Sequence, residues 1–89
     1  MISDQTSAKL RRIRNAGLSN LRDIAQKKGY PWERDRQVLK DIANGSMEQA
    51  AAKNRLGYST VQHILKRYDE ISTGILNERR RKAMNYEEV

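Results

Sequence analysis

The chain has 89 residues, of which 18 are Lys or Arg and 11 are Asp or Glu, so its formal net charge is +7. This length predicts one small domain, over residues 1–84 with a flexible tail at residues 85–89, and the positive charge is typical of nucleic-acid binders. The absence of cysteine excludes a disulfide framework and thiolate metal sites, and no apolar run approaches the ~20 residues of a membrane span, so we expect a cytoplasmic protein.

Glycines divide the chain into segments with a helical spacing of apolar residues. Residues 8–15 predict a first helix that ends at Gly17. The next segment predicts a second helix, with Ser19 as its cap and Gly29 at its close. Its apolar positions follow helical spacing and are Leu18, Leu21, Ile24 and Ala25.

The third helix is predicted to begin with Pro31, which is tolerated at the first helical position, and to run to Gly45. Glu33 and Asp35 favour the positive end of its dipole. Its apolar stripe is Val38, Leu39, Ile42 and Ala43. No stretch alternates polar and β-branched residues, so the sequence predicts an all-α fold, a small bundle of about five helices.

The segment at about residues 46–70 has the outline of a helix-turn-helix. Ser46 with Gln49, and Ser59 with Gln62, have the spacing at which a serine side chain caps the third helical N–H and the glutamine reaches back. Gly57 stands where a left-handed residue costs least. We therefore expect one helix to end near residue 56 and the next to begin near Ser59.

The second helix of this pair is predicted to read DNA. Its apolar contacts, shared with the preceding helix and turn, are expected from Met47, Leu56, Val61, Ile64, Leu65 and Tyr68. Polar side chains of types that contact base edges in the major groove are Ser59, Thr60, Gln62 and His63. Basic side chains predicted to contact phosphates are Lys53, Lys66, Arg67, Arg11, Arg12, Arg14, Arg79 and Arg80.

A sequence echo allows a second, tandem helix-turn-helix. Gly17 and Gly45 are 28 residues apart, and Gly-Tyr recurs at the same offset, at residues 29–30 and 57–58. On this interpretation a second reading helix begins with Trp32, Arg34, Arg36 and Gln37. The favoured interpretation is that each Gly-Tyr pair is simply a turn between two helices of a small bundle, with Trp32 packed in the core.

Residues 36–61 resemble the DNA-binding core of the Trp repressor superfamily, above all in Gln37-Val38-Leu39, Gly45-x-Met47-x-Gln49 and Lys53-Asn54-x-Leu56-Gly57. The segment is also similar to region 4 of bacterial sigma factors and to LuxR-type domains. The resemblance implies an all-helical DNA binder of a bacterium, phage or mobile element, often dimeric. One extra residue after the turn departs from the Trp repressor pattern, so tryptophan sensing is not implied.

The sequence gives almost no support for catalysis. His63 is the only histidine, so neither a Ser-His-Asp triad with a separate orienting base nor a multi-histidine metal site can form around it. The adjacent carboxylates Asp69-Glu70 and Glu87-Glu88 point in different directions on a helix, whereas paired-carboxylate catalysis needs convergence. We therefore expect no enzyme, no cofactor and no metal site.

The expected function is sequence-specific binding of double-stranded DNA by a transcription regulator. The first alternative is a small basic helical interaction protein, such as a phage- or plasmid-encoded inhibitor, that binds an acidic protein partner. The second alternative is an RNA-binding helical domain. A stripe of apolar residues at helical spacing begins in the reading helix and continues beyond it. Its residues are Val61, Ile64, Tyr68, Ile71 and Ile75. This stripe needs a partner, either the first helix of the same chain or a second copy in a homodimer.

Overall fold

The computed structural model describes the backbone of residues 4–87 and the side chains of residues 4–83. Five helices account for nearly all of this part of the chain, which contains no strand, and the predicted all-α fold is confirmed. The helices are α1 (Asp4–Ala16), α2 (Leu18–Lys28), α3 (Trp32–Asn44), α4 (Met47–Asn54) and α5 (Tyr58–Glu87).

The first three helices begin at positions that differ from the predicted ones. α1 starts four residues before residue 8, at Asp4, whose carboxylate suits the positive end of the helix dipole. The prediction that Ser19 caps α2 is wrong, because Gly17 is the N-cap and has φ 94°, a conformation that favours glycine. Pro31 is the N-cap of α3 and makes no side-chain cap.

α2 and α4 end in the same hydrogen-bonded motif. The left-handed residue is Gly29 (φ 78°) after α2 and Arg55 (φ 55°) after α4. The following residue, Tyr30 or Leu56, donates its N–H at 2.9 Å to a carbonyl five residues back, as in the Schellman motif. The prediction that Gly57 takes this position is wrong. The equivalent turns therefore lie 55 − 29 = 26 residues apart, and the 28-residue echo does not match the structure.

One of the two predicted serine caps is confirmed. Ser46 is the N-cap of α4, and its hydroxyl accepts the N–H of Gln49 at 3.1 Å. Ser59 is not a cap, because α5 begins at Tyr58 and the carbonyl of Gly57 already accepts the N–H of Val61 at 3.2 Å. Ser59 therefore lies in the first turn of α5, with its side chain exposed.

The core is centred on the first three turns of α5. Val61, Ile64, Leu65 and Tyr68 are buried, as predicted, and Met47 and Leu56 pack against them half-buried. The other helices contribute the remaining buried apolar residues, which are Ile13, Ala16, Leu21, Ala25, Trp32, Val38, Leu39, Ile42, Ala50 and Ala51. Leu18 and Ala43 were expected to face inward, but both are exposed.

α1 lies along α5 and is fastened to it by two polar contacts. Arg12 Nε donates to Asp69 Oδ1 at 2.6 Å, and this hydrogen bond raises the pKa of Arg12. Arg79 donates to the carbonyls of Asn15 and Ala16, at 2.9 and 3.0 Å, where a helix C-terminus favours a cation. The apolar stripe of α5 is thus covered in part by the first helix of the same chain.

α5 continues without interruption from the predicted reading segment into the predicted tail. The helix passes through Gly74 and reaches Glu87. Residues 85–87, predicted as part of a flexible tail, thus belong to the helix, and residues 88 and 89 of that tail lie outside the described residues.

Candidate nucleic-acid interface

The exposed side of α5 carries several of the residues predicted to read DNA. Ser59, His63, Lys66 and Glu70 follow one another at helical spacing, and all four are exposed. Thr60 is half-buried and borders this face. Since the opposite side of the same turns is held in the core, the face is fixed in orientation. A DNA-binding surface on this face is expected to end before Glu70, because phosphates repel its carboxylate.

The N-terminal turns of α1 and α5 enclose a shallow groove of about 380 Å³. Gln62, His63 and Lys66 line it from α5, and Gln5 and Lys9 line it from α1. Lys9 belongs to the basic run at residues 9–14 for which the sequence favours phosphate contacts, and the packing of α1 on α5 brings it to the same groove as Lys66. The groove therefore joins two cations to polar side chains able to contact bases.

Arg67, predicted to contact phosphate, is engaged within the chain. Its guanidinium lies 3.7 Å from Asp35 Oδ2, and its Cζ is 4.2 Å from the centre of the Tyr30 ring, a cation–π distance. The side chain is still 35% exposed. Arg67 thus adds positive charge to the surface, but its guanidinium would have to leave Asp35 and Tyr30 to bind a phosphate.

Asp35 is the centre of this cluster and is fully buried. Tyr68 donates its hydroxyl to Asp35 Oδ2 at 2.5 Å, and Arg34 donates twice to Asp35 Oδ1, at 3.1 and 3.2 Å. Burial, together with the hydrogen bond to Asp35, raises the pKa of Tyr68 above its usual range. The phenol gives the buried carboxylate a hydrogen-bond donor, which offsets part of the cost of burying Asp35.

Of the four residues that begin the second possible reading helix, Trp32 is buried, and the other three are exposed. Trp32 is only 6% exposed and lies in the core, with its ring centre 5.7 Å from that of Tyr68. Arg34 is bound to Asp35, and Gln37 donates to Asp41 at 3.1 Å. Trp32 is therefore a core residue, as the favoured interpretation held, and cannot contact a base.

The remaining phosphate candidates are dispersed over the molecule. Arg12 and Arg79 hold α1 against α5, as described above, and are committed to that role. Arg80 stands fourteen residues beyond Lys66, about 21 Å along the helix, because each residue adds 1.5 Å. Lys53 is exposed in the last turn of α4. Arg55 is exposed in the turn after α4, and the sequence did not identify it as a candidate for phosphate binding.

Arg11 and Arg14 are exposed on the side of α1 that faces away from α5. They line a different groove, between α1 and α3. Since the α1–α5 groove is lined by Gln5 and Lys9, the two sets occupy opposite sides of α1. Arg11 and Arg14 thus cannot share a duplex face with His63 without the nucleic acid wrapping around α1.

Within residues 4–83, no three His, Asp or Glu side chains converge as a metal site would require. Across the described helices, no segment is long and apolar enough to cross a bilayer. No protein-family model matches the chain, and no curated protein or solved structure shows significant similarity to it. The likeness to the Trp repressor superfamily therefore stays a prediction.

Proposed function

We propose that the chain is a non-enzymatic transcription regulator that acts in the cytoplasm and binds double-stranded DNA sequence-specifically through the first turns of α5. The observation that carries this proposal is the two-sided character of residues 59–66. One side is anchored in the core by Val61, Ile64 and Leu65. The other side presents hydroxyl, amide, imidazole and ammonium groups, which suit the major groove.

α4 and the Schellman turn give the proposed reading helix its support. Ala50 and Ala51 are buried, and small side chains there let α4 lie close to its neighbours. The turn is stabilised by its own hydrogen bonds, so α5 leaves it in a fixed direction. A helix held in this way can enter a groove without paying the cost of being ordered on binding.

Lys66→Ala should weaken binding to every duplex alike, because Lys66 lies toward the C-terminal part of the proposed reading helix, where phosphate is the commoner contact. Fluorescence anisotropy with a random-sequence duplex at several salt concentrations measures the effect. The slope of log affinity against log salt should decrease in magnitude by about 0.9, the value for one phosphate contact.

Lys82→Ala is the matched control, because Lys82 lies on the same helix, sixteen residues or about 24 Å away. It should leave the slope unchanged. Equal decreases in the two variants would show that charge alone holds the DNA, and absence of duplex binding by the wild type at low salt would refute the proposal.

Gln62→Ala tests base reading separately. Its amide can pair with adenine, so its removal should cost roughly 1 to 3 kcal/mol on the duplex selected by the wild type and little on random DNA. Selection from a random duplex library, followed by titration of the selected and the random duplex, measures both values. Equal losses on the two duplexes would contradict sequence reading by this residue.

The homodimer stays a prediction. The stripe that motivated it is used largely within the chain, because Val61, Ile64 and Tyr68 are buried and both Ile71 and Ile75 pack against the core. A regulator that reads paired half-sites would need another surface for its two-fold contact. Light scattering over a range of protein concentrations decides whether such a contact exists.

A further inference from the structure

A second groove lies between α1 and α3, on the side of α1 away from the proposed DNA face. Its volume is about 600 Å³. Its floor is apolar, with Leu10, Ile13 and Leu39 reaching it from the core or its edge. Leu18, at the start of α2, also lines the groove and is 49% exposed, although burying a leucine side chain is favourable.

Every charged side chain that lines this groove is basic. Arg11 and Arg14 stand on the α1 side, and Arg36 and Lys40 stand on the α3 side. No acidic residue lines the groove. Among the described residues, the only acidic contact of these four is Glu33, 3.9 Å from Arg36, and both partners are exposed. The four charges are thus available to an incoming ligand.

The combination of an apolar floor with a basic rim narrows the class of ligand. A nucleic-acid backbone would use the charges but would bring no apolar group to cover Leu18. A bilayer surface is met by a projecting apolar face, whereas here the apolar residues lie in a cleft between two helices. An amphipathic helix with acidic flanks satisfies both features, since it places apolar anchors in the groove and carboxylates beside the cations.

We propose that the α1–α3 groove is a docking site for an acidic amphipathic helix of a partner protein, with Leu18 as its central apolar contact. Residues 11 and 14 lie on the opposite side of α1 from Lys9, which borders the proposed DNA face. Both surfaces can therefore be occupied at once, and neither proposal requires the other.

A designed peptide of about 15 residues tests the site, with leucines at helical spacing i, i+3, i+4 and i+7 and glutamates elsewhere. Two further peptides have serine in place of leucine, or lysine in place of glutamate. Anisotropy of the labelled peptides measures affinity for the wild type, for Leu18→Ser and for Arg14→Glu. Each substitution should weaken binding of the first peptide roughly tenfold, the loss expected at a central contact.

The controls are Tyr58→Ser and Lys27→Glu, because Tyr58 is the other exposed large apolar residue described and Lys27 is an exposed cation outside the groove. Neither should change peptide affinity, and Leu18→Ser should bind duplex DNA like the wild type. Equal binding of the leucine-free peptide, equal effects of the control variants, or no binding at millimolar peptide would overturn the proposal. Binding to anionic phosphatidylglycerol vesicles that is lost in Leu18→Ser would instead assign the groove to lipid.

Discussion

Asp35→Ala should lower the free energy of unfolding by about 3 kcal/mol, near the lower end of the range for breaking a buried ion pair. The substitution leaves the buried hydroxyl of Tyr68 without its acceptor at 2.5 Å. It also removes the anion that faces Arg34 and Arg67. Both arginines are partly exposed and can regain water, so the loss stays below that of a fully buried pair.

Urea denaturation measures this loss, with the fluorescence of Trp32 as the signal. Trp32 is the single tryptophan and packs on the ring of Tyr68, so its emission reports on this part of the core. Tyr68→Phe is the matched control, because it removes one hydrogen bond and keeps the ring. It should cost about 1 kcal/mol. A loss in Asp35→Ala no larger than in Tyr68→Phe would show that the arginines contribute nothing to stability.

The cluster around Asp35 also shows why part of the candidate site could not be predicted. Asp35 was expected at the start of α3 because acidic residues favour that end of a helix, and it does lie there. Its partner Tyr68 is 33 residues away, and no local spacing reports such a contact. Arg67 also lies against Asp35 and over the ring of Tyr30, and neither contact could be predicted from the spacing of residues around Arg67.

The turn before α5 shows a different limit. The cap by Ser46 was predictable, because the serine hydroxyl and the backbone N–H that it accepts are three residues apart, and their bond depends on local geometry alone. The left-handed position was assigned to Gly57, since glycine adopts it at least cost. The structure places Arg55 there instead, which lets Leu56 pack against the core. The glycine preference alone therefore did not identify the left-handed residue of this turn.

Ile71→Asp combined with Ile75→Asp should destabilise the chain by about 3 kcal/mol or more, rather than yield a folded monomer from a dimer. Both side chains are half-buried, pack against the core, and line a groove of about 690 Å³ between α2 and α5 together with Ile24. Three acidic and three basic side chains also line this groove, so the expected loss comes from placing two carboxylates against apolar surface and not from repulsion between like charges.

Thr73→Asp with Asn77→Asp is the control for this variant, because it adds the same charges at the same spacing on exposed positions of α5. Surface changes of this kind usually alter stability by no more than about 0.5 kcal/mol. Circular dichroism during thermal unfolding measures stability, and light scattering measures mass. If the isoleucine variant keeps wild-type stability while its mass falls by half, the stripe joins two copies. If it unfolds while the control does not, the stripe packs within one chain, because α2 and α5 then need these side chains to stay together.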